Sequence, residues 1–212
     1  MDTRKKILTV AAKEFASKGY NKATIRNICK RARVNVASIN YYFRNKESLY
    51  KKMFEFLFYE TRGENVFEKR WDGSFSEWKT TIREWVEKII LDIVQENPLN
   101  QCKWKIFERE MQNPSEIFTN IYETFMKPRL SNLASHFKRA LIAETSDEDI
   151  YIRVFSVISN CIFYSHDRVL INMVFPDGKF VTKNMEKIIN NITDIACIGI
   201  NYETRAANNE IT

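Results

Sequence analysis

The sequence predicts an all-α protein in which a short basic N-terminal region precedes a larger helical region. Apolar residues make up 44% of the 212 residues, which is ample for a packed core. Only 5 glycines and 4 prolines occur, and that scarcity favours long helices over many short strands and turns. Apolar residues recur at helical spacing along most of the chain, without a convincing strand or internal repeat. From this pattern we expect about nine helices.

Four helices are expected near the N-terminus, and each has a recognisable start or stop. They span approximately residues 3–18, 24–32, 35–43 and 46–62. Gly19 suits a left-handed stop after the first helix. The side-chain oxygens of Thr24, Asn35 and Asn45 can cap the next three. Because only two residues separate the second helix from the third, this pair has the layout of a helix-turn-helix.

Longer helical segments follow a connection over residues 63–76. Their expected limits are about 76–97, 98–111, 114–144, 147–175 and 182–203. Pro98 separates the first two, and Pro128 is expected to kink the third. The sequence Pro-Asp-Gly at 176–178 is expected to turn between the last two.

Charge is distributed unevenly between the two ends of the chain. Residues 1–50 carry 12 Lys and Arg against 3 Asp and Glu, whereas the remainder carries 21 against 24. A basic N-terminal region on a mildly acidic remainder predicts that the N-terminal region meets a polyanion. The alternative is a basic surface that is merely solvated.

The third helix indicates how a polyanion could be contacted. Ile39 and Phe43 lie four residues apart and can fix this helix to the core, with Val36 nearby. The residues then left outside the core contact are Ala37, Ser38, Asn40, Tyr41 and Tyr42. Small side chains permit close approach to base edges, an amide can both donate and accept, and tyrosine hydroxyls can reach phosphates. The alternative for the tyrosines is packing against the first or fourth helix.

The segment TIRNICKRARVNVASINYYFRNKESL (24–49) resembles the DNA-binding signature of the TetR family. Within it, VNVASINYYF (34–43) is similar to a subgroup whose recognition helix is close to NxAxINYHF, and FEREMQNPSEIF (107–118) resembles that subgroup's effector domain more weakly. Arg33 stands where the family usually has Gly, and Tyr42 where His is common. The resemblance assigns groove and base contacts to Thr24, Arg26, Ala37, Ser38 and Asn40, and phosphate contacts to Tyr41, Tyr42 and Lys46. For Arg26 the alternative is an exposed charge without a partner on DNA.

The same resemblance implies two functional regions and an overall function. Residues 1–50 are expected to bind DNA, and residues 51–212 to bind an effector and form a homodimer. We expect a repressor that binds a palindromic operator and is released by a small, largely apolar molecule, although the sequence leaves the operator and the sign of regulation open. The alternative is an architectural DNA-binding protein that is non-specific or independent of a ligand.

Enzymatic chemistry is not expected, because the chain contains no HExxH, GxSxG, paired-cysteine or glycine-rich phosphate motif. No metal or other cofactor is expected either. The four cysteines are far apart and the N-terminus resembles no signal peptide, so we expect reduced thiols in a cytoplasmic protein without a membrane segment. Redox sensing by one of the cysteines remains an alternative.

Two further sets of residues are candidates in the larger region. The expected effector-binding residues are Trp85, Trp104, Phe107, Glu108, Arg109, Tyr122 and Phe163. Their alternatives are ordinary core packing for the aromatic side chains and surface ion pairs for Glu108 and Arg109; aromatic walls with Glu108 would also suit a cation. The last two helices are apolar around much of their circumference, which indicates a second burial surface. The residues assigned to a dimer interface there are Ile158, Cys161, Ile188, Ile192, Ala196 and Gly199.

Overall fold

A computed structural model describes residues 2–58, 67, 73–94, 97–141, 145–198 and 200. These residues form α-helices and contain no β-strand. The helices are α1 (Thr3–Lys22), α2 (Ile25–Ala32), α3 (Val36–Phe43), α4 (Lys46–Phe58), α5 (Phe75–Val94), α6 (Pro98–Gln112), α7 (Phe118–Ile121), α8 (Lys127–Ala140), α9 (Asp147–His166), α10 (Arg168–Val174), α11 (Phe180–Lys183) and α12 (Met185–Cys197). None of the described helices is long and apolar enough to cross a membrane.

The all-helical class is as predicted, but the described residues contain more than nine helices. The expected segment 147–175 divides at Asp167 into α9 and α10, and the expected segment 182–203 lies over α11 and α12, which Asn184 separates. The segment around Pro128 is irregular, as predicted. There a π-helical turn (Tyr122–Met126) joins α7 to α8, and the Lys127 N–H bonds to the Tyr122 carbonyl. Breaks of one residue at Asp167 and Asn184 leave little trace in an apolar pattern, so the count was too low.

The chain folds as two compact units. The first unit comprises residues 1–63 and 96–128, and the second comprises residues 64–95 and 129–212. Helices α6 and α7 therefore belong with the four N-terminal helices. The predicted functional boundary at residue 50 is a separate matter and stays a prediction.

The helix ends in the first unit follow the predicted capping residues. Gly19 has φ +75° and interrupts α1, after which one further turn reaches Lys22. The Thr24 hydroxyl accepts from the Asn27 N–H at 3.2 Å, and the Asn35 and Asn45 amide oxygens each accept a backbone N–H at 2.8 Å. These caps set the short spacing between α2, α3 and α4.

A buried carboxylate fastens α2 to α1. Glu14 is fully buried and accepts from Lys18 Nζ at 2.7 Å, Arg31 Nη1 at 2.8 Å and Asn27 Nδ2 at 3.3 Å. Burial raises the pKa of this carboxyl, but the hydrogen bonds from Lys18 and Arg31 outweigh it and hold the pKa below its usual value. The apolar core of the first unit includes Ile7, Leu8, Ala11, Phe15, Ile28, Ile39, Phe43 and Leu49.

In the second unit α12 packs on α5 and α9. At its centre Trp78 and His136 stack at 5.3 Å, the Trp78 indole N–H donates to the His136 carbonyl at 2.8 Å, and His136 Nε2 lies 3.2 Å from the Trp78 carbonyl. Burial lowers the pKa of His136 to about 4, so the imidazole is neutral in the folded protein at physiological pH. Arginine side chains also bond the ends of other helices, Arg168 to the Ile93 carbonyl and Arg153 to the Ile198 carbonyl.

Candidate functional site

Helix α3 is fixed by two buried residues and presents the rest of its surface to solvent. Ile39 and Phe43 are buried, whereas Ala37, Asn40 and Tyr41 are exposed. Val36, expected near the core contact, is about half exposed because it lies in the first turn, ahead of the buried pair. The arrangement leaves a row of small and polar side chains on a helix whose position is rigidly set.

The two tyrosines of α3 differ in exposure. Tyr41 is 81% exposed, so the alternative that it packs in the core does not hold. Tyr42 is 39% exposed, and its ring lies edge-on to Tyr41 at 5.0 Å. Both hydroxyls can therefore be offered to a partner outside the chain.

The other predicted groove residues are at the ends of their helices or on exposed faces. The Thr24 hydroxyl is engaged as the cap of α2, and Arg26 in the next turn is exposed. Ser38 is half-buried and its hydroxyl donates to Asn35 Oδ1 at 2.9 Å. Thr24 and Ser38 thus already hold one hydrogen bond each within the chain.

Lys46 lies in the first turn of α4, where backbone N–H groups and the helix dipole favour an anion. Its ammonium donates to the Asn21 carbonyl at 3.3 Å and lies 4.5 Å from the centroid of the Tyr20 ring. Partial burial there lowers the pKa of Lys46. The side chain is thus folded back on the end of α1 and must leave these contacts to reach a phosphate.

Arginines with positive φ angles stand at the ends of α2 and α3. Arg33 has φ +53° in the left-handed region and caps α2, at the position where the family usually has Gly. Arg44 has φ +66° at the end of α3, and sequence reasoning missed it. The available signal was its position between Phe43 and the Asn45 cap, where a helix must end without glycine. Both side chains are exposed and add positive charge on either side of the α3 segment.

The residues predicted to bind an effector are divided between the two units. Trp104, Phe107, Glu108, Arg109 and Tyr122 belong to the first unit, and Trp85 and Phe163 to the second. Phe163 is 40% exposed on α9. The proposed polar anchors have other contacts: Glu108 is exposed and accepts from Gln112, and Arg109 donates to the Phe15 carbonyl of α1 at 3.0 Å.

Sequence reasoning missed Lys103, which neighbours the predicted effector-binding residue Trp104 in α6. Lys103 is fully buried, and the indole nitrogen of Trp104 is buried without a hydrogen-bond partner in the part of the chain that the structure describes. The missed signal was the polar spacing of α6, since Asn100, Lys103 and Glu110 recur at helical intervals and all are buried.

Four residues assigned to a dimer interface lie in the core of the second unit. Cys161, Ile188, Ile192 and Ala196 are buried there, and Ile158 is half-buried. The broad apolar face of α12 is thus covered by α5 and α9 of the same chain, and Gly199 lies outside the described residues. Other apolar residues remain exposed, namely Ile152, Phe155 and Phe163 on α9 and Val169, Leu170, Met173, Val174 and Phe175 on and beside α10.

Burial makes three of the described cysteine thiols less acidic. None of the four cysteines forms a disulfide, and burial raises the pKa of the Cys29, Cys102 and Cys197 thiols, which disfavours the reactive thiolate. Among the residues that the structure describes, no group of three His, Cys, Asp or Glu side chains could hold a metal ion.

Two family models match the chain. The model described as bacterial regulatory proteins, tetR family, matches residues 7–53. The model described as the C-terminal domain of the HTH-type transcriptional dual regulator CecR matches residues 79–200, more than half of the chain. Together these matches cover most of α1, all of α2 and α3, most of α4 and almost all of the helices from α5 onward.

Curated relatives match over part of their length. The chain is 28% identical over 127 residues to "Probable HTH-type transcriptional regulator YttP" of Bacillus subtilis (strain 168), covering 59% of this chain and 58% of that protein. It is 27% identical over 150 residues to the HTH-type transcriptional dual regulator CecR of Shigella flexneri, covering 67% of this chain and 64% of that protein. The chain thus matches less than two thirds of either relative.

Solved structures share the fold over most of the chain. HlyIIR, a hemolysin II transcriptional regulator, aligns with a TM-score of 0.60 at 22% identity, over 90% of this chain and 97% of that one. The fatty acid degradation regulator FadR from Bacillus halodurans gives 0.61 at 19% identity, over 92% and 98%. AibR, solved in complex with isovaleryl coenzyme A and operator DNA, gives 0.57 at 17% identity, over 77% and 86%. At these identities the likeness shows the fold alone.

Proposed function

This chain belongs to the tetR family of bacterial regulatory proteins, and from that premise we propose that it is a ligand-responsive repressor acting in the cytoplasm. It binds a palindromic operator as a homodimer and is released by a small organic effector. The observation that carries the proposal is the surface of α3, where buried Ile39 and Phe43 leave Ala37, Asn40 and Tyr41 exposed. A helix that packs on the protein core with one side can place its opposite side in the major groove of DNA.

The base contacts are assigned to the exposed middle of α3. The Asn40 amide can bond an adenine edge in two places, and Ala37 permits close approach. Tyr41, Tyr42, Arg26, Lys46 and the additional cations Arg33 and Arg44 are assigned to phosphates, with Thr24 and Ser38 at the groove edge. These contacts are sequence-independent and set the register of α3 on the duplex.

The homodimer is assigned to α9 rather than to the core residues of α12. Ile152, Phe155, Ser159 and Phe163 follow one another at intervals of three or four residues and are all exposed, so they form one stripe along α9. An apolar stripe of this kind is typical of a surface buried by a partner. A homodimer that reads a palindromic operator would hold two α3 helices about 34–36 Å apart, one turn of DNA.

Helices α4 and α6 provide a route by which a ligand could alter the DNA-binding helices within the first unit. Tyr50 of α4 donates to Glu110 of α6 at 2.6 Å, and Arg109 of α6 bonds the Phe15 carbonyl of α1. A ligand acts as an inducer if it binds the arrangement that is unable to bind DNA more tightly than the competent one. A coupling of about 1–3 kcal/mol corresponds to a 5–150-fold loss of operator affinity.

Selection from a random duplex library tests this function directly. We expect a palindromic site whose binding survives an excess of random duplex. Asn40→Ala is expected to weaken that binding by about 1–3 kcal/mol and to relax preference at one base position. Asn191→Ala, an exposed asparagine on α12, is the matched control. If random duplex displaces the selected site equally well from both variants, the protein is instead a non-specific architectural DNA-binding protein.

A further inference from the structure

Helix α10 of the second unit buries very little of its own surface. Of its seven residues, only Ile171 is buried. A helix this short is not stable in water by itself, because its stability must come from tertiary packing. The large apolar residues of α10 that are between 52% and 74% exposed are Val169, Leu170, Met173 and Val174. A further surface that covered these side chains would stabilise the helix.

The four exposed apolar residues lie on one side of α10. At about 100° per residue they fall within a sector of about 140°, and both Ile171 and Asn172 lie outside it. We call Val169, Leu170, Met173 and Val174 the α10 face. No charged residue occurs between positions 168 and 177. A two-fold contact brings the same patch of both chains together, and an uncharged patch can meet its own copy without repulsion.

The α10 face follows the exposed apolar stripe of α9 along the chain. Asp167 alone separates the two helices, which contact each other and belong to the same unit. The apolar members of the stripe are Ile152, Phe155 and Phe163, and the last of these lies in the final turn of α9. The apolar surface of the second unit therefore continues beyond the end of α9.

The area of the α9 stripe is small for a stable dimer. A large apolar side chain has on the order of 200 Å² of accessible surface, so a half-exposed one offers roughly 100 Å². At that value the stripe offers about 300 Å² on each chain, and the stripe with the α10 face offers about 700 Å². A stable interface buries about 600–1,000 Å² on each partner. Only the two surfaces together reach this range.

We propose that the α10 face packs against a second copy of this chain and forms one homodimer interface with the α9 stripe. This inference rests on the proposed function and adds α10 to its dimer surface as the larger part. Apolar side chains gain free energy when a partner removes them from water, and the second copy supplies an apolar surface of the same kind. Helix α10 is then stabilised by the dimer as well as by its own chain.

Sedimentation equilibrium of the full-length protein tests the α10 face with single substitutions. Met173→Glu places a carboxylate at a position that is 74% exposed, so the chain should fold, but the dimer would have to bury that charge. We expect the dimer dissociation constant to rise roughly a hundredfold or more. Asn172→Glu adds the same charge to the same helix at an exposed position outside the α10 face, and it should dimerise as the unmodified protein does. An unchanged dissociation constant in Met173→Glu overturns the proposal.

Hydrogen exchange in the unmodified protein gives a second measurement that needs no substitution. The backbone amides of α10 should exchange more slowly at protein concentrations above the dimer dissociation constant than below it, and so should those beside Phe155 on α9. If Met173→Glu does not fold, this measurement decides the matter. Exchange in α10 that is independent of protein concentration overturns the proposal.

Operator binding is measured separately, so that the two proposals fail in distinguishable ways. A dimer whose formation protects α9 but not α10 retains the proposed homodimer and overturns the α10 face as part of its interface. A monomeric Met173→Glu protein that binds the operator with full affinity supports the α10 face and removes the dimeric repressor. An unmodified protein that is monomeric at micromolar concentration overturns both.

Discussion

The two units present opposite kinds of surface. In the first unit α3 exposes small, amide and phenol side chains, and exposed arginines stand at the ends of α2 and α3. In the second unit α9 and α10 expose large apolar side chains, of which Met173 is 74% and Phe155 is 53% exposed. Water solvates the first surface well, whereas apolar side chains gain free energy when a partner covers them. The difference is why we propose a polyanion as the partner of the first unit and an apolar surface as the partner of the second.

The buried polar groups of the two units also differ. The first unit buries a carboxylate, Glu14, among cationic and amide donors, and the second buries a neutral imidazole, His136, against Trp78. Each group joins two helices and each is sensitive to protons, but over a different range of pH. The contributions of the two units can therefore be distinguished by their responses to substitution and to acid.

A charge placed in the apolar stripe of α9 gives the largest expected effect. Phe155→Glu puts a carboxylate on a half-exposed position, so the chain should still fold while the homodimer dissociates. Loss of the second DNA contact is expected to weaken operator binding by about 10²–10⁴-fold, the advantage that a linked second site confers. Sedimentation and operator titration measure the two effects.

Two further variants serve as controls for Phe155→Glu. Asn191→Glu adds the same charge at an exposed position of α12 and should remain dimeric. Ile192→Glu buries a charge in the core of the second unit and should unfold it, because Ile192 is 1% exposed. A dimeric Phe155→Glu protein with full operator affinity would exclude the α9 stripe as the interface.

Acid should weaken the second unit at a higher pH than the first. The pKa of His136 is about 4 in the folded protein against 6.5 ordinarily, so only the unfolded chain binds this proton between those values. Stability is therefore full above pH 6.5 and falls as the pH approaches 4, by at most about 3 kcal/mol from this group. Glu14 has a pKa below its ordinary 4.5, so its contribution is present above that pH and is lost on further acidification.

Chemical denaturation between pH 3 and pH 8, with hydrogen exchange to separate the units, measures these ranges. His136→Gln should make the second unit's stability independent of pH above roughly 4.5, and Glu14→Gln should alter only the more acidic range. An unchanged slope between pH 4 and 6.5 in His136→Gln would assign the acid sensitivity to another group.

The smallest expected effect concerns Lys46. Releasing its ammonium from the Asn21 carbonyl and the Tyr20 ring offsets part of a phosphate contact, so Lys46→Ala should weaken all duplexes alike and only modestly. The slope of log affinity against log salt should become shallower by about one per subunit. Lys52→Ala, at an exposed position further along α4, is the control. A salt slope that Lys46→Ala leaves unaltered removes the phosphate contact.

The sequence by itself determined the helical class, the order of α1 to α4 and the starts of α2 to α4. Caps at Thr24, Asn35 and Asn45 and the stop at Gly19 depend on neighbouring residues only, so local chemistry is enough to predict them. The exposed surface of α3 was predictable for the same reason, since two buried residues four positions apart fix which side of a short helix faces inward. The irregularity near Pro128 also followed from a single residue.

Only the tertiary structure decided which apolar and charged side chains are covered, because burial depends on which helices meet. The pattern of α12 is the same whether Ile192 faces its own α5 and α9 or a second chain, and the fold covers it within the chain. Arg109 and Glu108 are neighbours in sequence, yet Arg109 bonds the Phe15 carbonyl of α1 and Glu108 faces solvent. Lys103 could not be placed by hydropathy either, since a lysine is expected outside. Its burial depends on aromatic rings from α4 and α6 that come together only when those helices pack.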